Sequence, residues 1–208
     1  MLYRLILFIS FFCPLLGAQS AQFNEGDHYL ELAGNLTEKK EITEFFSFYC
    51  PACFRQEPFM NELKASIPDD SVFNKNHVDG MPGRKPEIEY LLTKALITAE
   101  HLNVDKRLVP AIFNYIHESK ADFTNEKDIK NLFIINGVAG DKFNKTFSSF
   151  SVDAKAKQMQ KNTGDIRAQG FTGVPTLIIN GKYKPVTKNI KTMQEYKNLV
   201  FFLLNKTS

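Results

Sequence analysis

Two cysteines stand three positions apart in EFFSFYCPACFRQEPF, residues 44–59, where an apolar run gives way to a polar, helix-like one. A Cys-x-x-Cys pair can hold a metal, close a small structural ring or exchange electrons. Zinc would need two further ligands, and His28, His77, His101 and His117 are scattered without zinc-ligand spacing. As a staple the pair is poor, because closing so short a loop removes only roughly 2 kcal/mol of unfolded-chain entropy. A third cysteine, Cys13, lies in an apolar N-terminal segment and is expected to leave with it. Cys50 and Cys53 then remain alone in a chain bound for an oxidising compartment, where redox exchange is the chemistry that fits them.

That N-terminal segment has the layout of a cleaved export signal: Arg4, then the apolar run LILFISFFCPLL (residues 5–16), then small residues. The run is too short to span a bilayer. The cut is placed after Ser20, so residues 1–20 are read as signal peptide. The remainder suits one well-packed domain with an insertion, since the chain has 208 residues, 43% of them hydrophobic and 12% aromatic. Its 26 basic and 23 acidic side chains are interspersed and leave a formal charge of only +3. Such a surface has no strong field with which to attract nucleic acid.

Local elements explain the placement of the thiols. EITEFFSFY, residues 41–49, reads as a strand buried on both faces, with Cys50 at its end. Pro51 suits the first turn of a helix, and Phe54, Phe59, Leu63 and Ile67 give that helix an apolar side, with a kink expected at Pro58. Cys50 would then sit exposed at a helix N-terminus, where unpaired amides and the dipole favour a thiolate. Cys53, one turn in, is expected to be more buried, which would make Cys50 the attacking sulfur and Cys53 the resolving one.

A second motif lies in RAQGFTGVPTLIINGKY, residues 167–183. Gly170 and Gly173 end a helical run, Val174 and Pro175 precede the strand TLIIN, and NGK reads as a hairpin turn into Tyr183. Pro175 is either an ordinary strand-initiating proline or the site of a cis bond that presents Val174's backbone to an extended peptide.

Together EFFSFYCPAC and GVPTLIINGKY resemble the DsbA family of periplasmic thiol:disulfide oxidoreductases, and AQFNEGDHY (residues 21–29) is similar to the mature start of its enterobacterial members. The resemblance implies an α/β fold, a thioredoxin-like mixed sheet with an inserted all-helical subdomain. Residues 21–83 and 170–208 would form the thioredoxin-like part and residues 84–169 the insertion. Five helical patterns (87–102, 106–119, 125–136, 139–150 and 151–169) fill that interval, and a terminal helix follows at 192–206.

The resemblance also implies roles. Cys50 and Cys53 would be the redox pair, Pro51 and Ala52 the variable dipeptide facing substrate, and Val174 and Pro175 the docking edge. Glu44 matches the family's buried proton-accepting acid and Lys75 a lysine paired near it. On the residues alone, Glu44 could also face solvent, although Ile42 and Phe46 share its side of the strand. No cofactor or metal is implied. The implied partners are unfolded exported proteins with cysteines and a DsbB-type membrane quinone reductase, with the enzyme a periplasmic monomer. A reductase or isomerase on the same fold, or a non-catalytic metal- or peptide-binding module, are the alternatives. One departure stands out: the best-known members carry histidine where this chain has Ala52, which removes an imidazole able to stabilise the thiolate.

Overall fold

The computed structural model describes residues 23–207. The expected signal segment, its cut after Ser20 and Cys13 lie outside the described residues.

The sheet is built around β2, Lys40–Phe46, whose Ile, Thr and Phe residues suit a pleated and largely covered surface. β2 pairs in parallel with β3, Ser71–His77, and antiparallel with β4, Thr176–Ile179. From β4 the chain turns through Asn180 and Gly181, at φ 51° and 68°, into β5, Tyr183–Pro185. Two successive positive φ angles give a hairpin turn whose twist matches its strands, which is why asparagine and glycine stand there. A short edge strand, β1 (Tyr29–Glu31), completes the order β1-β5-β4-β2-β3. Three residues carry too little periodicity for β1 to be read from sequence.

The expected strand over 41–49 stops at Phe46. Tyr49 N–H donates to the Ser47 hydroxyl at 3.2 Å and Cys50 N–H to the Ser47 carbonyl at 3.0 Å. This turn reverses the backbone after β2, so Cys50 caps the following helix instead of ending the strand. That helix, α1, runs Pro51–Ser66 with Pro58 inside it, and the proline does not divide it.

Five helices separate β3 from β4: α2 (Pro86–His101), α3 (Asp105–His117), α4 (Glu126–Ile135), α5 (Gly140–Phe147) and α6 (Phe150–Ala168). Their largest apolar cluster is continuous with the active-site turn, uniting Phe46, Phe48, Cys50 and Cys53 with Leu96, Phe113 and Phe147. Phe48 packs edge-on to Phe46 and Phe113, with ring centroids 5.1 and 5.0 Å apart. Each fully buried ring of this kind contributes about 1.5–3 kcal/mol. The helices therefore form a roof anchored on the residues flanking the cysteines. Asn76 of β3 also donates to the Met159 carbonyl and the Thr163 hydroxyl of α6, both at 3.1 Å.

A second cluster joins Ile42 and Leu177 of the sheet to Leu63 of α1 and to Leu199 and Leu203 of α7, Met193–Asn205. Asn180 locks that helix to the hairpin by donating to the Leu203 and Leu204 carbonyls at 3.2 and 3.0 Å.

Candidate active site

Cys50 is the N-cap of α1, with extended backbone (φ −88°, ψ 114°), and its sulfur accepts the Cys53 N–H at 3.2 Å. Pro51 at the first helical position leaves the unpaired amides of that turn to the sulfur. The Cys50 thiol is pulled down to about 6. The hydrogen bond from the Cys53 side chain acts most strongly, working against burial, with help from the Cys53 and Ala52 amides and the Arg55 charge. The hydrogen bond to Cys50, followed by burial, pushes the Cys53 thiol in the opposite direction, well above its usual range. Both cysteines are reduced.

The sequence suggested an exposed Cys50 and a buried Cys53. Cys50 is in fact only 5% exposed and Cys53 0%. Phe48, Tyr49 and the roof helices close around the turn, so the two thiols differ in electrostatic surroundings more than in access. Pro51 and Ala52 lie at the mouth, exposed and half-buried respectively.

Val174–Pro175 is a cis peptide bond. Antiparallel pairing of β4 with β2 brings this dipeptide to the cysteines, and the Cys50 thiol donates to the Val174 carbonyl at 3.5 Å. Residues 124 positions apart thus meet at one sulfur.

Behind Cys53, Glu44 is fully buried, which excludes the solvated-face reading. Lys75 lies opposite it in the β2–β3 register and contacts Glu44 Oε2 and Glu57 Oε2, each at 2.7 Å. Burial raises Glu44 above the usual carboxylate range, against the nearby Lys75 charge, and its Oε1 has no hydrogen-bond partner. Burial alone would lower Lys75, but the two carboxylates outweigh it and hold the ammonium charged. Glu44 is close enough for its charge to raise Cys53 further. A cavity of about 460 Å³ reaches Glu57 and Lys75 from between α1 and α3.

Glu57 was not singled out in the sequence. Its position four residues after Cys53, on the same face of α1, was the available sign. His117 was also missed, since it stood among scattered histidines. Its Nε2 lies 2.8 Å from the Phe48 carbonyl and its ring stacks on Phe54 at 4.9 Å and 8°, so it grips the chain on both sides of the Cys-x-x-Cys motif.

A family profile described as DSBA-like thioredoxin domain matches residues 41–197, from β2 into α7. The chain belongs to that family. Thiol:disulfide interchange protein DsbA of Yersinia pestis is 31% identical over 198 residues, covering 90% of this chain and 91% of the relative. The Pectobacterium carotovorum protein of the same name is 29% identical over 200 residues, covering 91% and 92%. Among solved structures, Proteus mirabilis DsbA in complex with the non-covalently bound peptide PWATCDS superposes with a TM-score of 0.79 at 28% identity, covering 89% of this chain and 100% of that one. The thioredoxin-like mixed sheet with an inserted helical subdomain is the fold of this family, and the helical roof described above is that insertion.

Proposed function

We propose that this chain oxidises cysteine pairs in exported proteins by passing on a Cys50–Cys53 disulfide. The observation that carries this reading is the opposed tuning of the two sulfurs: Cys50 drawn down to about 6 beside the Val174 carbonyl, and Cys53 pushed up beside a buried carboxylate. Membership of the DsbA-like family, whose curated relatives are named thiol:disulfide interchange proteins, supports it.

In the reaction, a substrate thiolate attacks Cys50 Sγ of the oxidised enzyme, the Cys50–Cys53 bond breaks, and Cys53 leaves as a thiolate. Its raised pKa makes it take a proton, for which the buried Glu44 is the nearby acid. A second substrate thiolate then attacks the substrate's own sulfur in the mixed disulfide and releases Cys50 as a thiolate. The substrate loses two electrons and the enzyme gains them. Stabilising Cys50 as the leaving thiolate is what makes such a disulfide oxidising. An extended substrate would pair with the Val174 backbone while Pro51 and Ala52 border its cysteine.

The enzyme works as a periplasmic monomer, exported by a signal cut after Ser20 and reoxidised by a DsbB-type membrane quinone reductase. Residues 21–83 and 170–208 make up its thioredoxin-like part and residues 84–169 the insertion. Equilibration of the mature protein with glutathione buffers tests the direction of transfer. An oxidase stays largely reduced at the poise of an oxidising compartment, and a disulfide that persists under far more reducing conditions would mean a reductase.

A further inference from the structure

β4 and β5 pair only at Ile179 and Tyr183, and towards Pro175 they diverge. The gap is a cavity of about 320 Å³, with Pro175, Thr176 and Leu177 on one wall, Lys184 and Lys188 on the other, and Tyr196 contributed by α7. It begins at the dipeptide that touches Cys50, and no acidic residue lines it.

The two lysines differ from their neighbour. Lys182, on the same hairpin, pairs with Glu31 at 3.4 Å. Among the described residues, Lys184 and Lys188 have no carboxylate partner. Lys184 is half-buried, and its ammonium lies 5.2 Å from the centroid of Phe171, which packs, as Val174 does, against the cluster of Leu32, Phe45 and Ile178. Desolvation lowers Lys184 below the usual lysine range, and no neighbouring charge acts to restore it. Contact with an aromatic face offsets only part of the loss of water around an ammonium. An anion brought into the gap would relieve the rest.

We propose that Lys184 and Lys188 select cysteine-containing peptides that carry acidic side chains beside the reacting cysteine, the peptide backbone lying along the open side of β4 and its carboxylates meeting the two ammonium groups. This rests on the reading of Cys50 and Val174 as the substrate-receiving site and adds the class of sequence that site prefers. A single lysine on a surface would confer little, because exposed pairs are weak and screened. A half-buried lysine without a counterion is different, since the incoming carboxylate meets a charge already stripped of part of its water.

The test uses three short peptides, identical except that glutamate, glutamine or lysine flanks a serine standing in place of cysteine, so that they bind without reacting. Binding to the reduced mature protein is followed by fluorescence anisotropy at low and physiological salt. The glutamate peptide should bind about three- to tenfold more tightly than the glutamine one, and the lysine peptide more weakly than either. The gap should narrow with salt. Lys184→Gln should remove most of it, and the Lys184→Gln/Lys188→Gln double variant nearly all. Equal affinities for the three peptides, no measurable binding of any, or a preference unchanged in the double variant would each overturn the proposal. Oxidation of the cysteine versions is measured in parallel. Acid preference in binding without any thiol oxidation would leave this proposal standing while removing the oxidase reading.

Discussion

The two sulfurs of one helical turn occupy opposite electrostatic settings. Around Cys50, every polar group that reaches the sulfur from α1 is a donor or a cation: the Cys53 thiol first, then the Cys53 and Ala52 amides and the Arg55 guanidinium. Behind Cys53 lie apolar core and two carboxylates that share a single ammonium. Burial penalises a thiolate at both positions and is overcome at one alone. Accessibility therefore does little to distinguish the thiols, and the direction of nearby dipoles and charges does most of it.

The largest effect should come from removing either sulfur. Cys50→Ser should abolish oxidation of a dithiol peptide, while Cys53→Ser should retain a reactive Cys50 and accumulate mixed disulfides with substrate, resolved on non-reducing gels. Equal alkylation of both thiols in the reduced protein at neutral pH would break the comparison at its root.

Next in size is the ammonium behind Cys53. Lys75→Met leaves Glu44 and Glu57 buried without a counter-charge and should cost about 3–5 kcal/mol at pH 7 in denaturant unfolding. The sign with pH follows from Glu44, whose folded pKa is raised by burial. Its stabilising contribution is full while it is protonated and is lost as pH rises through the folded value. The deficit of the Lys75→Met variant should therefore be smaller at pH 5 than at pH 8. A pH-independent deficit would show that packing, not charge, keeps Lys75 in place.

The pH dependence of the reduction potential sharpens the comparison further. With Cys50 titrating at about 6 and Cys53 held protonated, reduction takes up two protons below about pH 6 and one above it, so the slope of potential against pH should halve there. Stated as stability, the depressed Cys50 value favours the folded reduced form fully above the ordinary thiol pKa of 9.0, and this contribution is lost as pH falls through about 6. Glutathione equilibria between pH 4 and 8 locate the break, and an undiminished slope to pH 8 would remove the thiolate from the account. Ala52→His, restoring an imidazole at the mouth, should move that break to lower pH by a fraction of a unit.

The smallest effect is expected at Glu44. Glu44→Gln keeps the shape and removes the acid that protonates the departing Cys53, so opening of the Cys50–Cys53 disulfide by substrate should slow several-fold near neutral pH while denaturant midpoints change little. An unaltered pH–rate profile would reduce Glu44 to a partner for Lys75.

Much of the fold was legible in the chain because its signals are local. Pro51 at a helix start, five helical patterns between two strand patterns, and Asn180–Gly181 at a turn each depend on residues within a few positions of one another. The strand end was misplaced because FFSFY stays aromatic through a turn. Phe48 and Tyr49 are apolar because the helical roof covers them, a reason invisible within the segment. Glu57 and His117 escaped notice for the same cause, since their partners Lys75 and Phe48 lie 18 and 69 positions away.

By itself, the sequence determined which atoms could do chemistry: two thiols one helical turn apart, at the junction where a proline lets a helix begin. Tertiary structure alone decided what those atoms would be. The β2–β4 pairing carries the Val174 carbonyl to Cys50. The β2–β3 register sets Lys75 against Glu44, and α1 adds Glu57 to the same ammonium. Divergence of β4 and β5 leaves Lys184 half-buried beside a gap with no acid in it. The reason is physical: spacing along a helix is set by bonded geometry, whereas desolvation and charge–charge energies depend on distances that only folding of remote segments defines.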